Sequence, residues 1–183
     1  SLRDWVTPQT PPLTRHIPRY RYAVDSLRQL SMKFLEKGEL LNYQFQREFL
    51  KPFQDLMAVA AARETKDFIL GCLGHMIQSR AKSIRSGWRS MFAVYALAAA
   101  DPAVAATGLE IVMQTIADHF DLIAQCACVG ECVECVCEYV RQQRHAEIAL
   151  RAVGSLATCA ELLRGVDTAA ASSSSAAAAA AAD

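Results

Sequence analysis

Five of the seven cysteines lie within twelve residues, in the run Cys126-Ala-Cys-Val-Gly-Glu-Cys-Val-Glu-Cys-Val-Cys137. Cysteine thiolates are common ligands of zinc and iron–sulfur clusters, and an activated thiol can also perform redox chemistry. A tetrahedral metal site needs four converging ligands, and the chain contains neither a second CxxC pair nor a nearby CxxxH pair. A metal or redox module therefore stands as an alternative hypothesis, and the sequence favours another interpretation.

The same run fits one amphipathic helix, which we predict from about Asp121 to Gln142. At helical spacing it divides into three stripes. The predicted core stripe contains Leu122, Cys126, Val129, Val133, Val136 and Val140. The predicted solvated stripe contains Glu131, Glu134, Glu138 and Arg141. Between them lies a third stripe of Cys128, Cys132, Cys135 and Tyr139. Cysteine then acts as a small apolar residue, and we predict no metal and no cofactor.

No catalytic constellation is evident elsewhere. The four histidines are scattered, and the chain lacks the glycine-rich and nucleophile motifs of nucleotide-binding proteins and hydrolases. We therefore predict no catalytic residue. An odd number of cysteines without an apolar signal segment predicts free thiols in a reducing cytosolic compartment.

The composition predicts one ordinary domain. The chain has 183 residues, of which 52% are hydrophobic, and 19 Lys and Arg balance 19 Asp and Glu. Before the Ser/Ala tail, the longest uncharged stretch, Ser90 to Ala100, is shorter than the ~18–20 apolar residues that span a bilayer. We predict a proline-rich linker or irregular segment at 1–20, a helical-repeat domain at 21–166 and a disordered Ser/Ala tail at 167–183.

Apolar residues recur at helical spacing along the whole domain, and no run alternates with period two. We predict seven helices joined by short connections, which favour antiparallel neighbours. The expected signals are a stop at Gly38, a kink or new start at Pro52, N-caps at Thr65 and Asp101, and a stop at Gly165. The fold class predicted is all-α, with antiparallel helix pairs stacked as a HEAT/armadillo-like solenoid, and a compact helical bundle is the alternative.

The charges are segregated along the chain. Residues 63–89 carry six Lys and Arg against two acids, whereas residues 90–140 carry seven acids and no Lys or Arg. A neutral chain argues against nucleic acid as a partner, but a local basic patch can contact an anionic membrane or an acidic protein. The candidate patch contains Arg80, Lys82, Arg85 and Arg89. The alternative is that these side chains compensate a helix dipole, form salt bridges within the repeat, or are solvated.

Two stretches of the chain are similar to a known family. One runs from Ala23 to Leu40 (AVDSLRQLSMKFLEKGEL) and continues into Phe45–Phe53 (FQREFLKPF), and the other is Ile84–Phe92 (IRSGWRSMF). Together they closely resemble the BIG-type (brefeldin A-inhibited) guanine-nucleotide exchange factors for Arf GTPases. The matching part is the helical homology region downstream of the catalytic exchange domain. Of the motif, we expect Ile84, Arg85, Ser86, Gly87 and Trp88 to be structural.

The resemblance implies a regulatory segment rather than the catalytic exchange domain. It implies a cytoplasmic protein that associates peripherally with Golgi and trans-Golgi network membranes and acts in vesicle-mediated transport. The implied partners are an Arf-family small GTPase, the anionic Golgi membrane surface and other domains of the same exchange factor. A generic helical scaffold without a link to a GTPase is a further alternative.

Overall fold

The computed structural model describes the backbone of residues 17–39, 44–142 and 145–180, and the side chains of residues 21–39, 44–142 and 145–165. Over these residues the chain is helical and forms no strand, which confirms the predicted all-α class. A 3₁₀ turn at Ala81–Ser83 links the third and fourth helices. The helices are α1 (Ile17–Glu36), α2 (Phe45–Val59), α3 (Arg63–Arg80), α4 (Gly87–Ala99), α5 (Ala105–Gln125), α6 (Val129–Val140) and α7 (Ala146–Ala180).

The helices form two layers. In one layer α4 packs between α2 and α6. In the other layer α3 packs between α1 and α5, and α5 also packs against α7. Each layer therefore contains every second helix of the chain, as expected when helix pairs stack. This arrangement confirms the predicted HEAT/armadillo-like solenoid and disfavours a compact bundle.

The core lies between the two layers and follows the predicted stripe of α4. Its largest fully buried side chains are Trp88, Tyr95 and Tyr139. The rings of Trp88 and Phe92 stack at a centroid distance of 5.9 Å. Tyr139 donates a 2.7 Å hydrogen bond to the carbonyl oxygen of Tyr95, which ties α6 to α4. Burial raises the pKa of Tyr139, so this phenol stays protonated and can donate.

The starts of α1 and α3 differ from the prediction. Helix α1 begins at Ile17, so residues 17–20 are helical rather than irregular, and Pro18 lies in its first turn, where proline is tolerated. The rest of the expected linker lies outside the described residues. Thr65 is not an N-cap, because α3 already begins at Arg63 and Thr65 is buried within it. The predicted stop at Gly38 is confirmed: α1 ends at Glu36, and Gly38 has a φ of +67°.

The predicted single helix from Asp121 to Gln142 is wrong. Helix α5 ends at Gln125, and Ala127 adopts a φ of +53°. The N–H of Cys128 donates to the carbonyl of Ile123 at 3.0 Å, and the N–H of Ala127 donates to that of Ala124 at 2.9 Å. These two bonds form a Schellman motif, which usually has glycine where this chain has Ala127. Because this position holds alanine rather than glycine, the sequence shows no signal that a helix ends here.

The break also changes which stripe of α6 is buried. The side chains that pack into the core are those predicted to lie between the core and solvated stripes: Cys128, Cys132, Cys135 and Tyr139. Of the predicted core stripe, Val136 is fully buried, whereas Val129, Val133 and Val140 are half-buried. The stripe assignment is therefore correct for Val136 and wrong for the four residues of the third stripe, because α6 starts afresh at Val129 and its orientation does not continue from α5.

The last helix also runs further than predicted. Gly165 lies inside α7, whose backbone is helical to Ala180 and so passes through most of the expected Ser/Ala tail. Alanine has the highest helix propensity of all residues, which favours helix in an alanine-rich run. The boundary between 166 and 167 stays a prediction.

Asp101 ties the start of α5 to α3 and makes stability depend on pH. Its carboxylate contacts the Lys66 ammonium at 2.5 Å and accepts the N–H of Ala103 at 2.9 Å. The predicted N-cap at Asp101 is wrong, because α5 begins at Ala105 and its N-cap residue is Val104. The hydrogen bonds from Lys66 and Ala103, the one from Lys66 first, lower the pKa of Asp101 below its ordinary value of 3.8. Because the folded-state pKa lies below the unfolded one, the stabilisation is present above pH 3.8 and is lost as the pH falls through the folded-state pKa.

We expect Asp101→Asn to lower the free energy of unfolding by about 1 kcal/mol at neutral pH, because it removes a charge-assisted bond between partly exposed groups. Urea denaturation of both proteins at pH 7 and at about pH 3 measures this difference. The difference should shrink as the pH falls below 3.8 towards the lowered pKa of folded Asp101. A difference that is the same at both pH values would contradict the assignment.

Candidate interaction site

The Ile84–Trp88 motif forms the turn that leads into α4, and one buried side chain of α2 holds it. Gln46 is fully buried. Its Nε2 donates to the carbonyl oxygen of Ser83 at 2.9 Å, and its Oε1 accepts the N–H of Arg85 at 2.7 Å and that of Gly87 at 3.4 Å. The amide side chain of Gln46 thus supplies hydrogen-bond partners that the backbone groups of this turn would otherwise find in a helix or a strand.

Glu39, in the connection between α1 and α2, holds the same turn from the other side. Its carboxylate accepts the N–H of Ser86 at 2.8 Å, the Ser86 hydroxyl at 2.6 Å and the N–H of Gln46 at 3.1 Å. The Ser86 hydroxyl oxygen in turn accepts the N–H of Arg47 at 3.2 Å. Glu39 and the Ser86 hydroxyl therefore cap the first turn of α2, and Glu39 also holds the motif before α4.

The two stretches that carry the family resemblance meet at this point. Glu39 and Gln46 come from the first stretch, and the residues they hold come from the second. Ile84 and Trp88 are 1% and 0% exposed, and a Cβ on Gly87 would lie 3.0 Å from Leu50 of α2. Five motif positions are thus engaged in packing or backbone bonding. Glu39 and Gln46 were not predicted as site residues, although both lie within the first stretch.

The basic patch is partly neutralised. Arg80 forms an ion pair with Glu36 of α1, and Arg89 contacts Glu131 of α6 at 2.9 Å. Lys82 and Arg85 are exposed, and neither has an acidic partner within the part of the chain that the structure describes. Two of the four predicted side chains therefore keep an uncompensated positive charge.

A cavity of about 500 Å³ opens beside the patch. We call it the arginine-lined cavity, and its walls contain Glu39, Gln44, Arg85, Ser86, Arg89, Gln125, Cys126 and Cys128. Nη1 of Arg85 lies 3.8 Å from Sγ of Cys126, whose thiol lies 3.6 Å from the carbonyl oxygen of Ile84. The volume falls in the range of small-molecule sites.

The cysteines are free thiols, and five of them are buried. Among the described residues, no group of three or more His, Cys, Asp or Glu side chains is arranged to hold a metal ion. A second cavity, of about 330 Å³ between α3 and α5, contains His75, His119, Glu110 and Asp118 in its lining, and these do not form such a group either. Within the described ranges, no helix combines the length and the apolar character needed to cross a membrane.

Comparison with known proteins gives one consistent result. Residues 33–116 match the family described as Mon2/Sec7/BIG1-like, HDS. The chain is 39% identical over 146 residues to brefeldin A-inhibited guanine nucleotide-exchange protein 3 of Arabidopsis thaliana, and 38% identical over 147 residues to protein 1 of that name from Homo sapiens. These alignments cover 78% and 76% of the chain but only 8% of either relative, so the chain spans about a twelfth of their length.

Proposed function

We propose that the chain, whose residues 33–116 match the family described as Mon2/Sec7/BIG1-like, HDS, is a regulatory helical segment of a large guanine-nucleotide exchange factor for Arf GTPases. It would act through contacts rather than catalysis. The match to exchange proteins over most of the chain supports this role. So does a motif that is held by packing and by backbone hydrogen bonds while the Arg85 side chain stays exposed.

The proposed partners are an Arf-family small GTPase, the anionic surface of a Golgi membrane and other domains of the same exchange factor. The proposed place of action is the cytoplasmic face of Golgi and trans-Golgi network membranes, in vesicle-mediated transport. A peripheral contact needs surface cations, because anionic lipids attract each nearby Lys or Arg by about 1 kcal/mol. In this proposal, nucleotide exchange is performed by another part of the exchange factor and not by this segment.

One observation supports the choice of contact surface. Lys82 and Arg85 are adjacent to a rigidly held turn, are exposed, and lack an acidic partner among the described residues. A charge on a rigid turn loses less conformational entropy on binding than one on a mobile loop. We therefore expect these two side chains, rather than Arg80 and Arg89, to contribute most to anionic contacts.

The test is flotation of the protein with anionic vesicles that carry membrane-anchored, GTP-loaded Arf. We expect Arg85→Glu to reduce the apparent affinity for the vesicles at least about fivefold at low salt, since one positive charge is lost and a negative one is added. The fraction of protein that floats, measured over a series of vesicle concentrations, gives this affinity.

Arg164→Glu is the matched control. Arg164 is exposed on α7, and the same charge change there should leave binding within about twofold. Arg89→Glu is unsuitable, because it would place two like charges at the Glu131 contact. Equal loss for both variants would indicate non-specific charge attraction, and no binding to either vesicle-bound partner would favour a generic scaffold.

A further inference from the structure

The arginine-lined cavity contains a thiol that the proposed function does not use. Cys126 is half-buried, whereas Cys72, Cys128, Cys132, Cys135 and Cys159 are buried. Cys126 lines the cavity together with the buried Cys128, and Sγ of Cys126 lies 3.8 Å from Nη1 of Arg85. Arg89 lines the same cavity. It is paired with Glu131, and the Glu39 carboxylate in the same lining accepts hydrogen bonds from Gln46 and Ser86. A nucleophilic atom, one cation without an acidic partner among the described residues and an open volume thus occur together.

From this juxtaposition we propose that Cys126 is a thiol-modification site that accepts a mixed disulfide from an anionic low-molecular-weight disulfide of the glutathione type. The cavity, at about 500 Å³, has room for a tripeptide-sized group. Arg85 would pair with a carboxylate of that group, since guanidinium binds carboxylate with two parallel donors.

Burial removes most other thiols from competition. Cys132 and Cys135 are 0% and 1% exposed, and a reagent cannot reach their sulfur atoms without opening the core. Burial also raises the pKa of Cys72 to about 11 and raises that of Cys128, which leaves little nucleophilic thiolate. Cys137 is half-buried like Cys126 and lies on α6. It therefore serves as an internal reference.

The reaction is a balanced thiol–disulfide exchange. The Cys126 thiolate attacks one sulfur of the low-molecular-weight disulfide, the S–S bond of the reagent breaks, and a new S–S bond forms to Cys126. The departing thiolate takes up a proton, so one thiol is consumed and one is released. The disulfide is the oxidant, and no other electron acceptor is required.

The adduct would change the charge beside Lys82 and Arg85. A glutathionyl group brings two carboxylates to the arginine-lined cavity and so reduces the local positive charge. Weaker vesicle binding after modification would follow, and this consequence rests on the proposed function. The modification itself does not, because it is detected on the purified chain without vesicles.

The experiment treats the full, reduced chain with oxidised glutathione and, in parallel, with neutral 2-hydroxyethyl disulfide. Remaining thiols are then alkylated, and each cysteine is followed by peptide mass spectrometry. With oxidised glutathione we expect Cys126 to react about fivefold or more faster than Cys137, the gain expected from one nearby charge pair. With the neutral reagent this preference should fall to about twofold or less.

Arg85→Gln supplies the second measurement. It should slow the reaction of Cys126 with oxidised glutathione about fivefold, while the rate with the neutral reagent changes by less than about twofold. Arg164→Gln should change neither rate. Equal reaction of Cys126 and Cys137 in the wild-type chain, or an anionic preference that survives Arg85→Gln, would overturn the proposal, and the wild-type comparison needs no variant to fold.

Discussion

Replacing Gln46 with leucine is expected to lower the free energy of unfolding by about 3 kcal/mol, because it leaves several backbone groups of one turn without a partner. The side chain is fully buried and is the acceptor or donor for Arg85 N–H, Gly87 N–H and the Ser83 carbonyl. Leucine fills a similar volume, so the loss reports hydrogen bonding rather than a cavity.

Chemical denaturation measures this change, and hydrogen exchange shows where it occurs. The amides of Arg85 and Gly87 should lose protection in Gln46→Leu more than amides in the middle of α5. Gln78→Leu is the control: Gln78 is exposed on α3, and we expect a change within about 0.5 kcal/mol. If Gln46→Leu is as stable as Gln78→Leu, the turn does not depend on the buried amide.

Replacing Gly108 with alanine should have a comparable effect, also about 3 kcal/mol, because a Cβ would clash with the hydroxyl that joins α6 to α4. The added carbon would overlap Oη of Tyr139 and would lie 3.0 Å from Cβ of Ala98. Tyr139 is fully buried and bonds to Tyr95, so its ring cannot move away without breaking that bond.

A double-mutant cycle tests the cause of this loss. Tyr139→Phe removes the clashing oxygen and should cost about 1 kcal/mol alone, as expected for one hydrogen bond. In that background Gly108→Ala should cost less than in the wild type, although the Ala98 contact remains. Additive losses would show that the hydroxyl is not the obstacle.

Gly154→Ala provides the matched control for the same cycle. A Cβ on Gly154, inside α7, would meet no atom within 4 Å. Alanine has a higher helix propensity than glycine, so we expect this variant to be more stable than wild type by up to about 1 kcal/mol. A loss at Gly154 would indicate that glycine-to-alanine changes act in this protein through something other than a clash of the added Cβ with its neighbours.

Periodicity was enough to predict the helical class and much of the core. The stripe of α4 at Trp88, Met91 and Tyr95 is buried as predicted, because the repeat of 3.6 residues is a local property of the chain. Element boundaries were less predictable. Ala127 ends α5 in a left-handed conformation that the sequence signals only when glycine is present.

The cysteine run shows how one such boundary alters a chemical interpretation. With a continuous helix, Cys126 would be a core residue and Cys128 would lie between faces. The turn at Ala127 reverses this, burying Cys128 and leaving Cys126 at the arginine-lined cavity. The residue whose thiol can be reached therefore depends on a backbone feature that no spacing rule detects.

The sequence alone determined the all-α class, the segregation of charge and the two stretches that resemble exchange factors, because each depends on residue types and short-range spacing. Only the tertiary structure decided what these residues do together. Gln46 holds Arg85 from 39 positions away, and Arg89 is neutralised by an acid on another helix, whereas Lys82 and Arg85 have no such partner among the described residues. Such partners are chosen by how helix pairs stack, and stacking brings together side chains that lie far apart along the chain.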